Sequence, residues 1–486
     1  MPPARSGDLD ASDTAGNKLY LCFDVDAFLL PSSQEGLDGD ISSVPPRRSR
    51  RSLGSSKENV VITPRPEQGA KSKSRKSRNP GSQSPAKPIA IKGTHLQPTV
   101  VFDTFWRFAA ERKAVDDRRR AGLPQPWTDD PIIRKFHFCN TYRVLDKVSQ
   151  YIVREVIEKG SQEHEELVFR ITLFNLFTKI ETWELLTREL GPLTWPRYNR
   201  KDYESVLNRA KKEGMTLYTG VFQKPAPHFE YPEAHMNHLC LLEMLMENDL
   251  AGRLLNATYM AEVYEYLISF PSMGAFSTYQ LMLNLSYSSV LNFSKMDFVV
   301  PGPGASSGLS KMFGTSMKAA KEAVPGIEED IIRWLAKHQN AHFKRLGLEF
   351  SGLGPRHLPM DVADIEHLLC EVDKYSRIAH PKLKGKRTEL RGIFHPSPGV
   401  YASKPTLPKA WSHPARKTVR IRPGGPPVVE KRYEVKRIGA HREGGNGMEY
   451  KVHWSGYPES EATWEPEESL KADAPLTIDE YWAKNR

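Results

Sequence analysis

Tyr433-Glu434-Val435-Lys436-Arg437-Ile438, then Tyr450-Lys451-Val452-His453-Trp454-Ser455-Gly456-Tyr457-Pro458, then Thr463-Trp464-Glu465-Pro466-Glu467-Glu468 form the most legible part of the chain. Apolar residues alternate at Val435 and Ile438 and again at Tyr450, Val452 and Trp454, which predicts short twisted strands with one buried face. Gly444, Gly445 and Gly447 supply the turn between the first two strands. The run from Ile478 to Trp482 predicts a closing helix. The expected unit is a small α+β module: a three-stranded antiparallel sheet with a C-terminal helix.

These strings resemble a chromodomain across nearly the whole module. The resemblance implies an aromatic cage for methylated lysine at Tyr433, Trp454 and Tyr457, with Glu461 as the acidic neighbour. A methylated ammonium keeps its charge while losing hydrogen-bond donors, so ring faces hold it, at about 0.5–2 kcal/mol each. A histone tail is expected to add to the domain as an extended strand. Lys431 and Arg432 stand where heterochromatin-type chromodomains are acidic, and Ser469 replaces a common Asn.

Outward from that module, composition sets the frame. A chain of 486 residues is too long for one compact core and implies two or three folded units with linkers. The net charge of +10 suits a polyanionic partner such as DNA. Cys22, Cys139, Cys240 and Cys370 are far apart in sequence, which argues against a disulfide framework and for a reducing compartment. No apolar run approaches the roughly 18–20 residues that span a bilayer, and the N-terminus lacks a signal-peptide pattern, so a soluble intracellular protein without membrane contact is expected.

Five regions are expected. Residues 1–30 form an N-terminal segment whose apolar patch, Leu19 to Leu30, reads as a strand or a docking peptide. Residues 31–95 are a Ser-, Pro-, Arg- and Lys-rich basic linker, expected to be disordered. Its clusters Arg47–Arg51 and Lys71–Lys76 read as nuclear-import signals or nonspecific nucleic-acid contacts, and Ser84-Pro85 as a phosphorylation site. Residues 96–385 form a large, mainly α domain, 386–427 a second linker, and 428–486 the chromodomain. Within the large domain, Val144 to Val156 mark one helix face, and Leu167 to Leu186 a helix apolar nearly all round. Further helices fit 201–213, 234–251, 257–269, 275–287, 326–346 and 361–376.

Leu267-Ile268-Ser269-Phe270-Pro271-Ser272-Met273-Gly274-Ala275-Phe276 has the logic of a helix-hairpin-helix, in which a turn and a helix N-terminus meet a DNA phosphate. Ser272 stands at the usual first glycine, and Gly274 at the second. Asp297 follows in Lys295-Met296-Asp297 before a Gly-Pro-Gly loop. With Phe105-Trp106-Arg107-Phe108, Pro126-Trp127-Thr128-Asp129-Asp130-Pro131, Phe138-Cys139-Asn140-Thr141-Tyr142-Arg143 and Cys370-Glu371-Val372-Asp373-Lys374-Tyr375, these strings resemble the helical domain of 5-hydroxymethyluracil DNA kinases and the related thymine pyrophosphorylases. That group is linked to helix-hairpin-helix DNA glycosylases.

Chemistry at a base's glycosidic bond or 5-methylene passes through a cationic centre that a buried carboxylate stabilises. The candidate catalytic set is Asp297, with Asp373, Glu371 and Lys374 as a second constellation near Asp146 and Gln150. Arg143 and Arg170 are candidates for phosphate, Trp127 or Tyr142 for stacking on a flipped base. Gly302-Pro303-Gly304-Ala305-Ser306-Ser307-Gly308 has a phosphate-loop flavour but lacks the Gly-Lys-Ser/Thr ending. No metal set is read at His235, His238 and Cys240, no cofactor is expected, and Phe276 stands where a Schiff-base Lys would be. Two readings stay open: a nuclear, chromatin-bound DNA-modifying enzyme with methylated histone tail and DNA as partners, or a non-enzymatic scaffold that binds DNA or protein.

Overall fold

The computed structural model describes residues 20–23, 86–219, 225–229, 231–383, 389–390, 392–395, 404–423, 431–444, 447–473 and 475–485. The basic clusters and Ser84-Pro85 lie outside these residues, as does the side chain of Tyr433.

The strand β1 (Tyr20–Phe23) belongs to the C-terminal module and is placed below. The large domain opens with a hairpin of β2 (Ile89–Ile91) and β3 (Thr94–Leu96). Thr99 then caps α1 (Val100–Arg120) by accepting the N–H of Val101, while Asp103 and Arg118–Arg120 complement the helix dipole at its two ends. The chain continues through α2 (Pro131–Lys135), α3 (Lys147–Tyr151), α4 (His164–Phe177), α5 (Ile180–Leu190), α6 (Arg200–Lys212), α7 (Ala234–Glu247), α8 (Leu250–Asn256), α9 (Met260–Ile268), α10 (Ala275–Leu285), α11 (Pro303–Phe313), α12 (Thr315–Ala323), α13 (Ile327–Arg345) and α14 (Val362–Ala379). One contiguous apolar core joins them, with Trp106, Phe102, Phe105, Tyr142 and Phe169 among its fully buried side chains.

Three expected helices are divided. The apolar stretch Leu167–Leu186 is α4 and α5, separated where Thr178 adopts φ +50° and returns its hydroxyl to the carbonyl of Asn175. The stretch 234–251 breaks at Asp249, also left-handed, whose carboxylate caps α8 by accepting the N–H of Gly252. The face from Val144 to Val156 is a 3₁₀ turn, the short α3 and a π turn over Ile152–Ile157.

α14 lies against α11 at unusually short range. A methyl on Gly308 would run into the backbone carbonyl of Leu369, and one on Gly304 into Cys370. The run that resembled a phosphate loop is therefore a helix, started by Pro303, whose glycines let two backbones approach. Across the same seam the buried carboxylate of Asp373 accepts the Ser307 hydroxyl at 2.7 Å, pairs with Lys311 at 2.9 Å and with Arg377 at 2.6 Å.

In the C-terminal module, β4 (Lys431–Gly444), β5 (Gly447–Trp454) and β6 (Thr463–Pro466) form an antiparallel sheet, followed by α15 (Glu467–Asp473) and α16 (Pro475–Lys484). Ile438, Tyr450, Val452 and Trp454 are buried with Leu470 and Ile478, as the alternation predicts. β1 pairs with the free edge of β4, Leu21 opposite Tyr433 and Phe23 opposite Lys431, and also lies beside α15. Residues 404–423 strap the helical body: Trp411 packs on Tyr287, and Arg416 donates to the carbonyls of Ser288 and Leu291.

Burial raises the Asp373 carboxyl, but hydrogen bonds from Ser307, Arg377 and Lys311 outweigh it and hold the group below its ordinary value. A carboxyl lowered in the folded state adds stability above its unfolded pKa and loses it as pH falls through the folded one. Asp373→Asn should therefore destabilise the chain at pH 7 by about 3 kcal/mol or more, because Lys311 is left buried and unpaired. The deficit should hold at pH 5 and shrink below the carboxylate range. Denaturant titrations of both chains at several pH values measure this, and a deficit that grew on acidification would refute it.

Candidate functional site

α14 is polar on two faces. Glu366, Cys370, Asp373 and Arg377 recur at three- and four-residue steps toward α11, with Glu366 accepting the N–H of Gly302 at 3.0 Å. Asp364, His367, Glu371 and Lys374 recur likewise on the neighbouring face, and they meet the loop that follows α2.

That loop closes on itself. Asp146 accepts the backbone N–H of Asn140 at 2.8 Å and its side-chain amide at 3.1 Å through Oδ1, and the amide also reaches the carbonyl of Leu145. The closed loop presents Cys139, Arg143 and Asp146 to α14. Glu371 accepts the N–H of Cys139 at 3.0 Å and the Lys374 ammonium at 2.6 Å. Asp364 accepts the N–H of Arg143 at 2.9 Å, and the Arg143 guanidinium donates to Gln280 on α10 at 2.5 Å. His367 Nε2 stands 3.3 Å from Asp146 Oδ2. Close by, Lys295 lies 3.5 Å from Asp361 and over the ring of Trp411.

Environment pulls these groups apart. Burial raises the Asp146 carboxyl, but the His367 imidazole and the Asn140 N–H outweigh it and hold it low. Burial lowers His367, but Asp146 and Glu371 outweigh it and leave the imidazole above its usual range. Burial, then the charges of Glu371 and Asp146, push the Cys139 thiol well up. Burial and the neighbouring Asp361 also raise Asp364, while burial lowers the Lys295 ammonium. Titratable groups driven in opposite directions within one cluster suit proton transfer.

The sequence-derived candidates divide between this cluster and elsewhere. Glu371, Lys374, Asp146 and Arg143 meet here. Asp373 belongs to the opposite face of α14. Asp297 is buried under the 404–423 strap, where its carboxylate accepts the N–H groups of Arg420 at 2.6 Å and Ser294 at 2.9 Å. Gln150 also holds the strap, through both main-chain groups of Thr406. Arg170 donates to the carbonyls of Val156 and Ser161, bracing the end of the π turn. Tyr142 is fully buried with its hydroxyl on the carbonyl of Leu358, so it has no face to offer a base. Trp127 does: with Arg107, Asp129, Asp130, Tyr375 and His380 it lines an open cavity of about 680 Å³. Phe138, between the cluster and that cavity, packs against Tyr375.

His367 and Cys139 carried no role in the sequence reading. The signal for His367 was its place in the stripe Asp364-His367-Glu371-Lys374. Cys139 became visible only with the loop closed.

In the hairpin, Ser272 takes φ +57°, the left-handed conformation that a glycine would take at this turn, and Gly274 opens α10 with no side chain capping it. Of the residues expected to form a cage, Trp454 is buried with its indole N–H on Thr463 at 2.9 Å, Tyr457 is half-buried and Glu461 exposed. The loop that carries Tyr457 rests on the hairpin side of the helical body. Gly456, at φ +81°, accepts the N–H of His228 at 2.8 Å, and a methyl on it would stand 2.6 Å from Pro271.

A helical body with this buried polar cluster, joined to a small curled sheet with a closing helix, defines a two-module protein. Residues 433–484 match the chromo (chromatin organisation modifier) domain, and residues 99–385 match the family described as 5-hmdU DNA kinase, helical domain. The second match covers more than half of the chain, which therefore belongs to that family. The 5-hmdU DNA kinase of Bacillus phage SP10 is 25% identical over 322 residues, covering 60% of this chain. The chain spans about half (48%) of that relative's length. No solved structure matches the chain. The chromodomain associates the protein with chromatin.

Gly456→Val should separate the two modules locally, since its left-handed backbone and the nearby Pro271 both reject a side chain. The His228 amide should lose its protection in hydrogen exchange while the helical core keeps its own. Unchanged protection at His228 would show that the contact does not form in solution.

Proposed function

We propose that this protein reads a methylated histone lysine through its chromodomain and carries a DNA-binding helical domain that acts on a 5-substituted pyrimidine. The observation that carries the enzymatic half is the closed loop Cys139–Asp146 set against the polar stripe of α14, with Glu371 and Lys374 as an ion pair at its centre. Asp297 and Asp373 are given supporting roles, because the Asp297 carboxylate is taken by the backbone of Arg420 and Ser294 and that of Asp373 by Ser307, Lys311 and Arg377. Trp127 is proposed to stack on an extruded base in the cavity beside Tyr375. Ser272 and Gly274 are proposed to meet a DNA phosphate at the start of α10, with Arg143 orienting the cluster through Gln280.

The relative's name suggests 5-hydroxymethyluracil in DNA as the base. Phosphoryl transfer is not part of the proposal, since the glycine-rich run is the helix α11. Incubating the full chain with duplexes containing 5-hydroxymethyluracil or thymine, followed by mass analysis of the nucleosides, tests the reading. Conversion or release of the hydroxymethylated base by the parent chain, and its loss in Glu371→Gln, is the expected result. No change in either base would leave the scaffold reading in possession.

For the chromodomain, Trp454→Ala should abolish binding of a trimethyl-lysine histone peptide while DNA binding persists. The edge that a histone strand would join is held by β1, so the incoming tail competes with the chain's own Tyr20–Phe23. Deleting residues 1–30 should therefore tighten peptide binding several-fold in calorimetry. Equal affinity of the two chains would rule out that competition, and unchanged affinity in Trp454→Ala would rule out the cage.

A further inference from the structure

We propose that Cys139, Asp146 and His367 bind one thiophilic divalent cation of the zinc class, with a coordination position left open to water. One ligand atom from each residue lies within 4.8 Å of the other two. Ligand atoms ~2.0–2.3 Å from a tetrahedral ion lie roughly 3.3–3.8 Å from one another. His367 and Asp146 already stand 3.3 Å apart, so the remaining adjustment is a swing of the Cys139 side chain inward by at most about 1.3 Å.

The cluster is built rather than incidental. The His367 side chain is only 10% exposed, and its close partner is Asp146, whose Oδ2 stands 3.3 Å from Nε2 outside good hydrogen-bond geometry. A buried imidazole beside a carboxylate, with a thiol within reach of both, is an arrangement that a metal can occupy once the imidazole gives up its proton. Asp146 is already oriented: Asn140 holds its Oδ1 by two N–H donors, leaving Oδ2 facing His367. Cys139 is held at its main chain by Glu371. Such outer contacts fix metal ligands in place.

The donor set chooses the ion. A thiol, an imidazole and a carboxylate together favour zinc or ferrous iron over magnesium and calcium, which take oxygen ligands. Binding would deprotonate the thiol. Three protein ligands leave the fourth position of a tetrahedral ion for a water.

The full chain, stripped of metal, is titrated with Co²⁺. One equivalent should produce a sulfur-to-cobalt charge-transfer band that Zn²⁺ abolishes. Cys139→Ser should lose the band, Cys370→Ser and Cys240→Ser should keep it, and His367→Gln should weaken binding about tenfold or more. X-ray absorption on the zinc-loaded parent, which needs no variant to fold, should count one sulfur. Absence of the band from the parent, its survival in Cys139→Ser, or a sulfur count of zero or two overturns the proposal. It rests on the same cluster as the enzymatic reading, but the titration uses no DNA, so either can fail while the other stands.

Discussion

The close approach of α11 and α14 fixes everything around it. Gly304 and Gly308, one turn apart, remove the side chains that would hold the two backbones apart, and only at that distance does Lys311 reach Asp373. Two buried charges are stabilising here because their partners are complete: the carboxylate takes Ser307, Lys311 and Arg377 together. A helix pinned along one face has no freedom to roll. The rotation that sets Asp373 into the seam also sets Asp364, His367 and Glu371 against the loop after α2. The cluster's geometry is in this sense a consequence of two glycines on a different helix.

Much of this was legible in the sequence, for physical reasons. Strand alternation is a local signal, so Ile438, Tyr450, Val452 and Trp454 were read correctly as one buried face. Helical spacing marked the bundle in the same way. The divisions at Thr178 and Asp249 were not legible, because each turns on a non-glycine residue in the left-handed region, which propensity argues against. Asp373, Glu371 and Lys374 were grouped with Asp146 and Gln150 from their strings alone; Glu371, Lys374 and Asp146 do meet, while Asp373 faces α11 and Gln150 holds the strap. His367 and Cys139 were not, since their significance depends on a contact between elements distant in the chain. The glycine-rich run could be denied a phosphate-loop role from its missing ending, but its actual use required the partner helix.

The linker after the helical domain illustrates the same limit. Its composition suggested a tether, yet residues 404–423 insert Trp411 and Arg416 into the helical body and cover Asp297. A Pro- and Lys-containing segment reads as solvated when its partners are scattered through α3, α9 and the loop after α10. The carbonyls of Ser288 and Leu291 supply what Arg416 needs, and nothing near Arg416 in sequence announces them.

The two modules meet beside the residues proposed to engage their ligands. The loop bearing Tyr457 passes over Pro271, in the turn before α10, and is tied to His228 by one backbone hydrogen bond. A ligand at one surface alters the other only by the difference in its affinity for the docked and undocked arrangements. Among the described residues the contact comprises that hydrogen bond, roughly 0.5–1.5 kcal/mol net, and the packing of Gly456 beside Pro271. The hydrogen bond alone would change relative occupancy by about tenfold. The contact is therefore suited to orienting the chromodomain against the turn before α10.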